Sequence, residues 1–228
     1  MKNFNLIDIF RRNISFVHYI SGRNREKKLQ IFLKYINPSE FDTILDVGYS
    51  NKEYSINDNY LEKKYKYKNK ITALGIEDTN EFNYRYPEVK TIRYAGGVFP
   101  FKNKEFDIGW SNAVIEHVGN SESQILFLKE MIRTCKRVFL TTPNKLFPIE
   151  VHTRIPLLHF LPKKFFDEIL KFVGKSWAAG SYMNLLTCRE IKVILKKINI
   201  NNYKILRNHI SPFFTIDFII IIEENKTI

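Results

Sequence analysis

Apolar residues recur along this chain at two different periods. Between residues 5 and 37 they fall at helical spacing: Leu6, Ile9 and Phe10, then Phe16 and Ile20, then Leu29, Phe32, Leu33 and Ile36. That spacing predicts helix, with a break at Ser21-Gly22 and a stop at Asn37-Pro38-Ser39. Short runs rich in branched and apolar residues then predict strands, at about Thr43 to Val47, Ile71 to Ile76, Val89 to Tyr94, Phe106 to Trp110 and Arg137 to Thr141. Between the last two, about Ser121 to Cys135 reads as a helix, with Ser121 or Ser123 as cap and Ile125, Leu126, Leu128, Met131 and Ile132 on its buried side. The polar, tyrosine-rich stretch 52–67 predicts only a short, poorly formed helix. A further helix is expected near Lys163 to Phe172. Another runs from Thr187 to Ile198, where Thr187 followed by Glu190 has the pattern of a capping box. Tyr203 to Ile210 and Phe213 to Ile222 close the chain as two strands joined by a tight turn at Ser211-Pro212.

Strands alternating with helices predict an α/β fold: a Rossmann-like, doubly wound sheet, mostly parallel with an antiparallel last strand, and with a helical N-terminal cap. Residues 1–228 are expected to form a single domain. Within it, 1–40 make the cap, 41–145 the ligand-binding core, 146–186 an insertion or lid, and 187–228 the last helix and strand pair. The insertion is long, proline-rich and aromatic, and so long a segment between core elements is usually functional.

Composition narrows the class. A chain of 228 residues with 44% hydrophobic and 26% charged residues is that of a soluble globular protein rather than a disordered one. Two cysteines, Cys135 and Cys188, lack disulfide or metal-ligand spacing, which points to a reducing compartment and a cytoplasmic location. The N-terminus has no signal-peptide pattern, and the longest apolar run, Phe213 to Ile222, is too short to span a bilayer and is interrupted by Thr215 and Asp217. The formal charge of +12 suits an anionic partner such as RNA, a sugar phosphate or a membrane face. The lysines are nonetheless scattered among Asn and Ile, as a general compositional bias would leave them.

In an open α/β sheet, ligands bind beyond the carboxyl ends of the strands. Asp46-Val47-Gly48, Glu77-Asp78, Ala95-Gly96-Gly97 and Ser111-Asn112 all fall at such ends. Gly48 permits a tight turn against a ligand, and a carboxylate at Glu77 can accept both hydroxyl hydrogens of a ribose. A dinucleotide is the rival ligand. It would need a pyrophosphate loop of the Gly-x-Gly-x-x-Gly kind, which is missing here.

The chain resembles the class I S-adenosylmethionine-dependent methyltransferases, specifically their small type 11 group. The resemblance rests on Ile44-Leu45-Asp46-Val47-Gly48, on Gly75-Ile76-Glu77, and on Phe99-Pro100-Phe101 ahead of Phe106-Asp107. It continues through Asn112-Ala113-Val114-Ile115-Glu116-His117-Val118, Glu130-Met131-Ile132-Arg133 and Val138 to Asn144, and covers about residues 40–145. It implies S-adenosylmethionine as cofactor. Asp46 and Gly48 would line its methionine and ribose part, Glu77 would hold the ribose hydroxyls, Val98 or Phe99 would flank the adenine, and Ser111 and Asn112 would line the floor near the sulfonium. Two departures stand out. The loop reads Gly48-Tyr49-Ser50-Asn51 without the family's later glycines. Ala95 occupies the place of its adenine-contacting aspartate, which leaves that contact to backbone, to Gly96-Gly97 or elsewhere.

Methyl transfer needs alignment, exclusion of water and, for a hydroxyl acceptor, a base. His117 follows the fourth strand and His152 lies in the insertion, so both are candidate bases, with a structural hydrogen-bonding role as the alternative for His117. Asn144, Glu150 and His152 are candidate acceptor contacts. Glu150, His152 and His159 lack convincing metal spacing, and no metal is expected. The aromatic cluster from Phe147 to Phe166 is expected to cover the sheet, with a hydrophobic acceptor or membrane-facing lid as the alternative. A small-molecule or glycan acceptor is the first expectation. An RNA methyltransferase and a non-catalytic partner subunit are the alternatives, and the sequence leaves the oligomeric state open.

Overall fold

The computed structural model describes residues 6–149, 157–172, 174, 176, 183–211 and 214–223. Seven strands make a mixed sheet, mostly parallel with antiparallel pairing at its C-terminal strands, as the alternation of elements predicts. The chain divides into two compact units, Met1–Arg93 and Tyr94–Ile228.

The first unit holds α1 (Leu6–Tyr35), β1 (Ile44–Val47), α2 (Tyr60–Lys64), β2 (Ile71–Gly75), α3 (Asn80–Arg85) and β3 (Lys90–Arg93). β2 pairs in parallel with β1 on one side and β3 on the other. Every residue of β1 and β2 is buried, which explains why they read as continuous apolar runs rather than as alternation. The expected break at Ser21-Gly22 does not occur, and α1 runs through it for 30 residues. A lone glycine costs a helix only about 1 kcal/mol, which burial of Leu29, Phe32 and Ile36 outweighs.

The second unit holds β4 (Phe106–Asn112), α4 (Ser121–Thr134), β5 (Cys135–Pro143), α5 (Lys163–Phe172), α6 (Cys188–Lys197), β6 (Tyr203–Ser211) and β7 (Phe214–Glu223). β4 and β5 are parallel, and β7 lies antiparallel between β5 and β6. The α4 cap is Asn120 rather than Ser121 or Ser123. The Asn120 backbone is extended, and its side chain accepts the Ser123 N–H at 3.0 Å. The Thr187 capping box at α6 is present as its sequence predicts. In α5, Phe166 and Leu170 pack with Leu158, while Phe165 and Phe172 stay exposed. Cys135 is buried, which pushes its thiol up to about 12, and Cys188 is half-buried. The expected turn residue Pro212 lies outside the described residues. Among the described residues, no helix is long and apolar enough to cross a membrane.

Candidate functional site

At the end of β1 the chain turns on Gly48, whose φ of 107° lies in the left-handed region that favours glycine. Its N–H donates to the Leu74 carbonyl at 2.8 Å, so the turn is fastened to β2. Tyr49 then points inward. A Cβ on Gly75 would lie 2.7 Å from the Tyr49 ring, so the ring packs where only glycine leaves room. The ring also meets Phe82 at 4.7 Å, and the hydroxyl donates to the Glu77 carbonyl at 2.9 Å. Tyr49 is therefore core, not a wall of the loop.

Side chains shape this loop. Asn59 grips both backbone groups of Ser50: Oδ1 accepts the Ser50 N–H at 2.8 Å, and Nδ2 donates to the Ser50 carbonyl at 2.8 Å. Asn51 Oδ1 accepts the Glu81 and Phe82 N–H groups at 3.0 Å each, satisfying the first turn of α3. The Arg85 guanidinium donates to the Asn51 carbonyl. The Asn51 N–H donates to Glu77 Oε2 at 2.7 Å. That bond fixes the exposed carboxylate at the carboxyl end of β2 and leaves Oε1 with no partner among the described residues. Gly96, Gly97 and Val98, the other candidates for the adenine end, lie exposed in the second unit.

Behind the Gly48 turn, Asp46 is only 6% exposed and Glu62 of α2 is fully buried. Neither Glu62 oxygen has a hydrogen-bond partner within the described residues. Burial first, and then the Glu62 charge, push the Asp46 carboxyl well above the usual carboxylate range, and burial pushes Glu62 up too. Burial favours the protonated form of both carboxyls. Asp46 thus faces an acid partner. Nothing in the polar pattern of residues 52–67 signals Glu62.

In the second unit, β4 delivers Ser111, which is fully buried, and Asn112, whose Oδ1 accepts the Thr141 hydroxyl at 2.7 Å. His117 ends a 3-10 turn over Ile115–His117 and is half-buried. Its Nε2 lies 4.0 Å from Glu116 Oε1, and the fully buried Glu116 accepts the Thr142 hydroxyl at 3.0 Å through Oε2. At 4.0 Å the imidazole is beyond hydrogen-bond distance of Glu116 Oε1, so the two side chains are neighbours rather than a hydrogen-bonded pair. Asn144 is engaged with backbone on both sides: Nδ2 donates to the Thr215 carbonyl at 2.9 Å, and Oδ1 accepts the Leu146 N–H at 3.0 Å. Glu150 and His152 lie outside the described residues. Among the described residues there is no group of three or more His, Cys, Asp or Glu that could hold a metal ion.

No family model matches the chain. No curated protein matches it in sequence. Solved structures do match. A SAM-dependent methyltransferase from Aquifex aeolicus is 15% identical, with a TM-score of 0.52 over 85% of this chain and 88% of its own. A SAM-dependent methyltransferase from Thermotoga maritima is likewise 15% identical, with a TM-score of 0.55 over 94% of each chain. Geranyl diphosphate C-methyltransferase from Streptomyces coelicolor, in complex with Mg2+, geranyl diphosphate and S-adenosyl-L-homocysteine, is 11% identical, with a TM-score of 0.54 over 86% of this chain and 77% of its own. The chain has the Rossmann-like fold of these methyltransferases.

Proposed function

We propose that the chain is an S-adenosylmethionine-dependent methyltransferase of the type 11 kind, acting on a small-molecule or glycan acceptor. The observation that carries this reading is the Glu77 carboxylate, exposed at the end of β2, held by the Asn51 N–H and with one oxygen left over, beside a glycine turn at the end of β1. A fixed carboxylate with a vacant oxygen fits a ribose diol.

When bound, S-adenosylmethionine supplies an electrophilic methyl on a sulfonium. Glu77 would accept the ribose hydroxyls, and Gly48 would let the backbone come close. Asp46, buried beside Glu62, precedes the turn. Phe99 is buried and Val98 exposed, so Val98 is the residue of the two available to flank an adenine. For a hydroxyl acceptor, the His117 imidazole would take the acceptor's proton. The small-molecule acceptor of the geranyl diphosphate enzyme supports the acceptor class.

Labelled methyl transfer, screened over sugar nucleotides, lipid-linked glycans and RNA, tests the reading. With an oxygen acceptor, His117→Ala is expected to lower turnover about 10²-fold or more while leaving S-adenosylhomocysteine affinity unchanged. Wild-type turnover in that variant removes the base role.

A further inference from the structure

A cavity of about 610 Å³ opens in the second unit along α6. That volume is within the range of small-molecule sites. Its floor is apolar: Phe166, Leu186 and Ile194 are buried there, Met183 is half-buried, and Val193 is 47% exposed. The rim is cationic, with Lys145, Arg189 and Lys197 set against one acid, Glu190. Glu190 is already engaged, accepting the Thr187 N–H at 2.7 Å and Lys145 Nζ at 3.3 Å. Arg189 is exposed and has no ion pair or hydrogen bond within the described residues. It follows the Thr187 cap, and Ser121 brings the first turn of α4 to the same cavity. Arg189 and Val193 are four residues apart on α6, so cation and apolar wall lie on one helix face.

The cavity wall is tied to the turn that carries His117. The Asn184 N–H donates to the Glu116 carbonyl at 2.7 Å. The Gln124 side chain bridges the Ile115 and Asn184 carbonyls, at 3.3 and 2.7 Å.

We propose that this cavity takes the methyl acceptor, and that the acceptor is an amphiphilic anion: an aliphatic or isoprenoid chain carrying a phosphate or carboxylate. The chain lies along Phe166, Met183 and Val193, and the anion meets Arg189 and Lys145. The acceptor role rests on the methyl-transfer reading, whereas the binding of an anionic amphiphile does not.

Calorimetry of the full chain with decyl phosphate, below its micelle concentration, separates the two. Decyl phosphate is expected to bind. Arg189→Glu and Val193→Asp are each expected to weaken it by roughly tenfold or more, with S-adenosylhomocysteine affinity unchanged. Inorganic phosphate and decyltrimethylammonium are expected not to bind. Cosedimentation with phosphatidylglycerol vesicles that requires Arg189 assigns the anion to a membrane lipid, and decyl phosphate binding without cosedimentation assigns it to a free amphiphile. No decyl phosphate binding up to millimolar concentration, binding unmoved by both substitutions, or equal binding of decyltrimethylammonium overturns the proposal. Decyl phosphate binding without S-adenosylhomocysteine binding overturns the methyl-transfer reading and leaves the amphiphile site standing.

Discussion

Glu62 is a costly residue in its place, and that cost is measurable. Raised carboxyl pKa values mean that the folded state holds its protons more tightly than the unfolded chain. The stability from this pair is therefore fully present below the unfolded carboxylate pKa of about 4 and is lost as pH rises toward the folded values. Glu62→Gln replaces a buried carboxyl, whose charged form burial disfavours, with an amide that does not titrate. It is expected to stabilise the protein at pH 8 by about 1 kcal/mol, or roughly 2–4 °C in Tm, and by less at pH 5. Thermal melts at the two pH values check it. The sequence displays Asp46 because a strand pattern frames it, but it conceals Glu62, since a carboxylate in a polar stretch reads as solvated. Only the tertiary structure buries it, beside Asp46 of β1. Asn59 escapes sequence reading for a related reason: its grip on Ser50 spans nine residues and follows no local motif.

Elements whose ends carry their own chemistry are legible in the sequence. Residues 163–172 form a helix as their spacing predicts, and Thr187 caps α6 with Glu190 reciprocating at 2.7 Å. Thr187→Ala removes the oxygen that accepts the Glu190 N–H and is expected to cost about 1 kcal/mol, read as a Tm lower by roughly 2–4 °C. Boundaries set by competition between neighbours are less legible. Asn120, Ser121 and Ser123 all have capping side chains, and the extended backbone at Asn120 decides among them. Gly22 looks like a punctuator, yet buried residues later in the same helix carry α1 past it. β5 starts at Cys135, directly after α4, and the Cys135 N–H still donates to the Met131 carbonyl at the helix end.

At the scale of the molecule, identity of 11–15% to the solved methyltransferases described above is enough to keep one fold. In this chain that fold is an alternation of buried parallel strands with helices, together with a last strand inserted antiparallel between its two predecessors. The chemistry is carried by fewer positions, and here the glycine-poor loop keeps its shape through Asn51, Asn59 and Tyr49 instead. On the methyl-transfer proposal, this loop presents Glu77 to a ribose. Calorimetric titration of the protein with S-adenosylhomocysteine tests it most directly. Micromolar binding is expected, weakened about 10²-fold by Glu77→Ala through loss of hydrogen bonds to a charged group. Absence of binding up to millimolar ligand, or binding indifferent to Glu77→Ala, contradicts it.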